Sequence, residues 1–292
     1  MTFHPRDETD ISIASSARMQ SVLLGGRRHF DADRAAVEIL AERLPDAAVL
    51  ALGARAFLER AVHALAAGHG VRQFLDLGCG LPLPPSAGRT VHEIAQAVDP
   101  RCRVVYTDTD PIVRIQGLAF DDDDRTVLLA VDLTDTDTLF GHPDVQDLIR
   151  PGEPLAVLLS ASLECLPDTY LPWQVLHRTA QRIPPGSFVL LSHLVSDDPR
   201  LRADVTAIMK DQTNWRWGRV RERWEIDEAV DRLRRHLGLQ IIAPGLVDVR
   251  DWRCDELSRR RNRHSGACQY YGGVLHKPAG PAASEQSART RW

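Results

Sequence analysis

Five short apolar runs along the middle of the chain constrain its fold more than any other feature. They cover residues 73–77, 103–107, 126–131, 155–159 and 187–191, and the first four lead into Gly78-Cys79-Gly80, Asp108, Asp132 and Ser160. Each is five or six residues long, apolar and β-branched, the texture of strands buried on both faces of a parallel sheet. Helical patterns fill the gaps, at residues 90–98, 111–120, 168–182 and 201–211. Strands alternating with helices at this spacing specify an α/β chain built on a parallel sheet. A further helix over 226–237 is stopped by Gly238, and residues 239–242 and 269–275 read as a sixth and a seventh strand. Three helical segments precede the first strand. One starts at Ser16 and ends at Gly25-Gly26. One is capped by Asp31 or Asp33 and broken by Pro45. The third carries Ala56, Phe57, Ala61, Val62 and Leu65 toward Gly68.

A chain of 292 residues allows one large domain or two small ones. A hydrophobic fraction of 43%, with 26% charged residues, is that of an ordinary globular protein and excludes disordered and collagen-like classes. The net charge of −4 gives no electrostatic reason to bind nucleic acid or anionic lipid. All but two of the 36 basic residues, Lys210 and Lys277, are arginine. That bias reads as a genomic signature, with Arg18 and Arg55 as the arginines placed to bind a carboxylate. The five cysteines (Cys79, Cys102, Cys165, Cys254 and Cys268) form no CxxC or zinc spacing, so a reducing, cytoplasmic setting is expected. The N-terminus is polar and lacks a signal pattern, and no run of about 18 apolar residues is present, so no membrane segment is expected. Residues 1–15 and 278–292 read as disordered, the acidic run 121–124 as a solvated turn, and the arginine-rich stretch 250–264 as a surface loop. No metal site is expected, because ligands must converge in space and a run along a loop does not.

In an open α/β sheet, ligands bind beyond the carboxyl ends of the strands. The first strand ends Asp76-Leu77-Gly78-Cys79-Gly80, where glycine lets backbone approach a ligand. The following Leu81-Pro82-Leu83 lacks the third glycine of a dinucleotide fingerprint, and prolines delay the helix, which argues against NAD. Asp108 is placed to accept both hydroxyls of an unphosphorylated ribose. Asp132 is placed to accept an exocyclic adenine amine, with Leu133 packing on the ring. Three acidic strand ends would repel a polyphosphate and suit a nucleoside with a cationic centre, such as S-adenosylmethionine. Each Asp taken alone reads equally as a helix cap.

The chain resembles the actinobacterial S-adenosylmethionine-dependent methyltransferases long catalogued as a domain of unknown function. The residues that carry the resemblance include Leu23-Leu24-Gly25-Gly26, Phe30 with Asp33-Arg34, and Phe57-Leu58-Glu59-Arg60-Ala61-Val62. They continue through Phe74-Leu75-Asp76-Leu77-Gly78-Cys79-Gly80-Leu81-Pro82, Val91-His92-Glu93, Asp110-Pro111 and Asp132-Leu133. Leu166-Pro167-Asp168, Leu191-Ser192-His193 and Pro244-Gly245-Leu246 complete the set. The resemblance spans about residues 16–276. It implies a class I methyltransferase Rossmann-like fold, with a seven-stranded sheet whose last strand is antiparallel. It also implies a helical cap over residues 16–70 and a cofactor-binding domain over 71–277.

On this reading Asp76, Gly78, Cys79, Gly80, Asp108, Thr109, Asp132, Leu133, Ser160 and Arg18 bind S-adenosylmethionine. Glu164 and His29 are the catalytic candidates, with Glu164 as general base or as a guide for an amine acceptor. Gln20, Arg55, Trp215 and Trp217 are placed with a small-molecule acceptor, the two indoles as walls of an aromatic pocket. His92 is a further acid–base candidate. Several positions depart from the family pattern. Gln20 and Val22 replace tyrosines, Ala54 and His29 replace asparagines, and Glu164 replaces a histidine. Methyl transfer to a small molecule of specialised metabolism is therefore the leading expectation. Two alternatives stay open: an enzyme that cyclises S-adenosylmethionine itself and releases methylthioadenosine, and a non-enzymatic sensor of the nucleoside. Nothing in the sequence speaks to the oligomeric state.

Overall fold

The computed structural model describes residues 10–117, 124–255 and 266–279. Residues 1–9 and 280–292, most of the acidic run and most of the arginine-rich stretch lie outside the described residues, whereas residues 10–15, expected to be disordered, are held in place: Ala14 is buried with Met19 and Ser15 caps α1. An eight-stranded sheet forms the centre. Its strands are β1 (Gln73–Leu77), β2 (Arg103–Thr107), β3 (Thr126–Leu129), β4 (Leu155–Ser160), β5 (Phe188–Ser196), β6 (Gln240–Ile241), β7 (Val247–Asp248) and β8 (Cys268–His276). The order is β3-β2-β1-β4-β5-β8-β6, with β7 pairing on β8. The strands from β3 to β5 pair in parallel, whereas β8 runs antiparallel to β5, β6 and β7. The chain order reverses between β1 and β4, which is the switch point where such sheets bind ligands.

The antiparallel last strand is as the resemblance implies. The two-residue β7 is an addition to the expected seven strands. β5 extends five residues beyond the expected apolar run, because β8 pairs with it from Phe188↔His276 to Ser196↔Cys268. Its extension includes the buried Ser192, His193 and Ser196, whose polarity hides the strand in the sequence. The region read as one helix over 168–182 divides into a 3-10 turn, Asp168–Tyr170, and a helix that begins at Pro172, a favoured first position.

Ten helices lie among the described residues. Before the sheet come α1 (Ser16–Leu23), α2 (Asp31–Arg43) and α3 (Ala47–Gly68). Then follow α4 (Val91–Val98), α5 (Pro111–Gln116), α6 (Thr136–Gly141), α7 (Pro143–Leu148), α8 (Pro172–Arg182), α9 (Pro199–Gln212) and α10 (Arg223–Leu237). Side chains alternate across β1. Phe74 joins Phe57, Ala61, Val62 and Leu65 of α3 on one face. Leu75 and Leu77 join Leu176, Val230 and Leu233 of α8 and α10 on the other. α3, counted above with the N-terminal helical segment, thus shares its core with the sheet.

α1 and α2 form a separate layer. Met19, Ala36 and Leu40 pack with Val205 and Met209 of α9, with Trp217, and with Leu194 at the carboxyl end of β5. Neither Asp31 nor Asp33 is the residue that caps α2. The cap position is Phe30, and Asp33 reaches back to accept its N–H at 2.8 Å.

Candidate functional site

β1 delivers Asp76 to the switch point and then turns through Gly78 and Gly80, both with left-handed φ (75° and 69°). The Gly78 and Cys79 N–H groups donate to the Thr107 carbonyl at 2.9 and 3.0 Å, folding the glycine turn against the end of β2. A Cβ on Gly78 would lie 3.0 Å from the Ser162 Cβ and 3.8 Å from Leu133 Cδ2. The turns after β1, β3 and β4 therefore converge on Gly78, and only glycine leaves room there.

Asp108 is the electrostatic partner of this turn. Its Oδ2 accepts the Gly80 N–H and its Oδ1 the Asp110 N–H, both at 2.9 Å. Burial nevertheless pushes the Asp108 carboxyl up to about 6. Asp76 is pushed up to about 7, again by burial, with Arg55 opposing the shift and Asp108 adding to it. A water-sized cavity of about 20 Å³ is lined by Arg55, Asp76, Cys79, Pro82, Thr90 and Tyr106. Arg55 donates to the Arg89 carbonyl, while its Nε is enclosed without a hydrogen-bond partner. A carboxylate and a guanidinium facing one cavity match the ammonium and carboxylate of an α-amino acid.

Two hydroxyls at the strand ends are enclosed without partners, Thr107 Oγ1 and Ser162 Oγ. Leaving such groups unserved is costly, so their clustering at one end of the sheet points to a polar ligand. Glu164 lies in the 3-10 turn Leu163–Cys165 and is 2% exposed. Burial pushes its carboxyl up to about 7, and Arg221, Tyr270 and the Leu194 backbone, all close by, hold it down from going further. The neighbouring Cys165 thiol is pushed up to about 12 by burial and by Glu164, so it is no nucleophile. Burial likewise lifts the Cys79 thiol well above its ordinary value.

The remaining sequence candidates divide. Asp132 closes the turn after β3 by accepting the Thr134 N–H at 2.8 Å. Thr109 is exposed beside Asp108, and the Ser160 hydroxyl lies 3.4 Å from that of Ser192. Arg55, expected with an acceptor, instead shares its cavity with Asp76. Arg18 is not presented to a ligand. It is buried, pairs with Asp33 at 3.1 Å and lies over the Phe30 ring. His29 lines a groove with Ile11, Ser12, Phe30 and Arg34 that contains no strand-end residue. Gln20 is half-buried on α1. His92 is engaged with Tyr106, its Nδ1 3.0 Å from the phenol oxygen.

The two indoles do not wall one pocket. Trp217 is 3% exposed in the core of the cap layer, whereas Trp215, in a left-handed turn with φ 60°, is 72% exposed. Residues that sequence reasoning missed are Ser162, Tyr106, Tyr270 and Arg221. Arg221 is fully buried between Asp168 and His193, over the Trp173 ring. No local signal marks Tyr270 or Arg221, because pairing on β5 brings them in. Among the described residues no group of side chains could hold a metal ion, and no helix is long and apolar enough to cross a membrane.

Comparison with known proteins adds to this geometry. The family described as S-adenosyl methyltransferase matches residues 3–278. A DUF574 family protein from Streptomyces avermitilis superposes with a TM-score of 0.83 at 29% identity, covering 92% of this chain and 99% of its own. A Thermobifida fusca protein, provisionally described as a methyltransferase, superposes with a TM-score of 0.82 at 32% identity, covering 92% and 97%. No curated protein matches the chain.

Proposed function

Because the chain belongs to the S-adenosyl methyltransferase family, and so is an enzyme that uses S-adenosylmethionine as cofactor, we propose that it methylates a small-molecule acceptor held between the strand ends and the α1–α9 layer. The observation that carries this reading is the convergence on Gly78 of the turns after β1, β3 and β4, with the unserved Ser162 hydroxyl against it and the Asp108 carboxylate holding the Gly80 N–H. The residues present fit the cofactor. Asp76 takes its ammonium and Arg55 its carboxylate. Asp108 takes the ribose hydroxyls, and Asp132 with Leu133 takes the adenine. When bound, the cofactor supplies a methyl group on a sulfonium centre, ready for in-line displacement.

The protein's own contribution is orientation and proton handling. Enclosure by α1 and Trp217 excludes water from the strand ends and holds the acceptor close to the methyl group. Glu164 titrates near neutrality, the range in which a general base is effective. Its carboxylate accepts the proton of the acceptor's nucleophilic group, with Arg221 and Tyr270 beside it.

The test is incubation with S-adenosylmethionine alone, and with panels of small amines, phenols and carboxylic acids, followed by mass spectrometry of the nucleosides. S-adenosylhomocysteine formed only when an acceptor is present supports methyl transfer. Methylthioadenosine formed without any acceptor overturns it.

A further inference from the structure

A continuous chain of hydrogen bonds runs from the glycine turn into the α1–α2 layer, and Ser15 is its crossing point. Asp108 is held by two backbone donors, Gly80 N–H and Asp110 N–H. Asp110 spends one carboxylate oxygen on the first turn of α5, accepting Ile112 N–H at 2.8 Å. Its other oxygen accepts the Ser15 hydroxyl at 2.5 Å. Ser15 is also the N-cap of α1, its Oγ accepting Arg18 N–H at 3.2 Å. Its own N–H donates to Asp33 at 3.1 Å, and Asp33 in turn holds the Arg18 guanidinium and the Phe30 N–H. A hydroxyl offers one proton and two lone pairs. With a lone pair used by α1, the proton of Ser15 is directed at Asp110. Residues 95 positions apart in the chain are thus joined beside the carboxylate assigned to the ribose.

We propose that Ser15 is a positioning residue for the cofactor: through Asp110 it fixes the orientation of Asp108, so that recognition of the ribose depends on the docked first helix. The proposal rests on the assignment of Asp108 to the ribose and adds to it a contribution from the cap that no strand-end residue makes. The Asp110 N–H can hold the Asp108 Oδ1 in one orientation only while Asp110 itself is held from both sides. Removing the Ser15 hydroxyl frees one side, and the lone pairs of Asp108 that face the ribose lose their fixed direction. A purely structural role for Ser15, as a helix cap, would lower the affinity for every nucleoside in the same proportion.

The experiment is calorimetric titration of the full chain with S-adenosylhomocysteine and with its 2′-deoxy counterpart. It is run on the wild type, Ser15→Ala, Ser15→Thr and Asp110→Asn, with thermal melts to check folding. The wild type is expected to prefer the ribose form by about tenfold or more, the worth of one charge-assisted hydrogen bond. Ser15→Ala is expected to lose most of that preference while its affinity for the 2′-deoxy form stays within about threefold of wild type. Ser15→Thr retains the hydroxyl and restores the preference. Asp110→Asn keeps the α5 cap oxygen but not the charge, and moves in the same direction as Ser15→Ala, so the inference stays testable if the alanine variant does not fold. An unchanged preference in Ser15→Ala or Asp110→Asn overturns the inference and leaves Asp108 assigned to the ribose. A wild type that binds both forms equally overturns that assignment, and the inference with it.

Discussion

Arg18 and Asp33 form an ion pair within the α1–α2 layer with side-chain exposures of 3% and 0%. Asp33 also accepts the Ser15 and Phe30 N–H groups, and Arg18 donates to the Ile13 carbonyl. A buried pair of this kind is costly to break from one side. Asp33→Ala leaves a buried guanidinium and two N–H groups unserved, and is expected to cost about 3–5 kcal/mol in denaturant unfolding. The double variant Arg18→Met/Asp33→Leu, which removes both charges, should cost clearly less. Equal losses in the two would mean that charge burial is not what the pair controls.

Asp108→Ala removes a carboxylate that is held by the backbone on the side of the glycine turn. Two charge-assisted hydrogen bonds to the ribose are lost with it, so affinity for S-adenosylhomocysteine should fall roughly hundredfold. Calorimetry measures this directly. Affinity close to wild type would move the ribose elsewhere in the cleft.

Glu164 gives a pH signature with a definite sign. Its carboxyl rises from an ordinary 4.5 to about 7 in the folded chain. The folded state therefore holds a proton that the unfolded state has released between about pH 4.5 and 7. The stability this contributes is fully present below the lower value and is lost as pH rises through about 7. Glu164→Gln, neutral at every pH, should narrow the stability difference between pH 5 and pH 8 by on the order of 2–3 kcal/mol. At saturating cofactor, kcat of the wild type should rise with pH through about 7, and the variant should lack that limb. Saturation matters, because Asp76 titrates in the same range and acts on cofactor affinity. A pH profile that survives the substitution would assign the base to another residue.

Trp217→Ala and Trp215→Ala separate two indoles that the sequence makes look alike. The first empties a site packed by Met19, Val205 and Met209, and should cost about 3–5 kcal/mol. The second removes an exposed ring that faces the Lys210 ammonium, 5.7 Å from its centroid, and should stay within about 0.5 kcal/mol. Melting temperatures distinguish the two.

The parallel half of the sheet was legible because each strand has an apolar centre, with its polar residues such as Gln73, Arg103, Thr126 and Ser160 at the ends. The carboxyl half of β5 was not, since Ser192, His193 and Ser196 interrupt the pattern, and Ser160, Arg221 and Ala267, distant in the chain, are among the partners that serve them. The placement of Asp76, Gly78 and Asp108 at the ends of β1 and β2 was legible because a strand end is a local feature. Tyr270 and Arg221 depend on which segments come to lie beside β5, and no spacing in the chain records that. The pairing of Arg18 with Asp33 joins two helices, and Asp33 also serves the start of α2, so nothing local in the sequence marks it as the partner of Arg18.

The placement of β8 between β5 and β6 sets the order in which the enzyme can be completed. Cys268, at the start of this last strand, shares a core with Ala14 and Met19 from the start of the chain. A growing chain leaves its N-terminal segments exposed first. α1 packs on α2 and later on α9, but its core is closed by Cys268 only when nearly the whole polypeptide has been made. The layer that packs on the carboxyl end of β5 is finished only when the two extremities of the fold meet, so a chain cut short before β8 would lack that layer's last contacts even with Asp76, Asp108 and Asp132 in place.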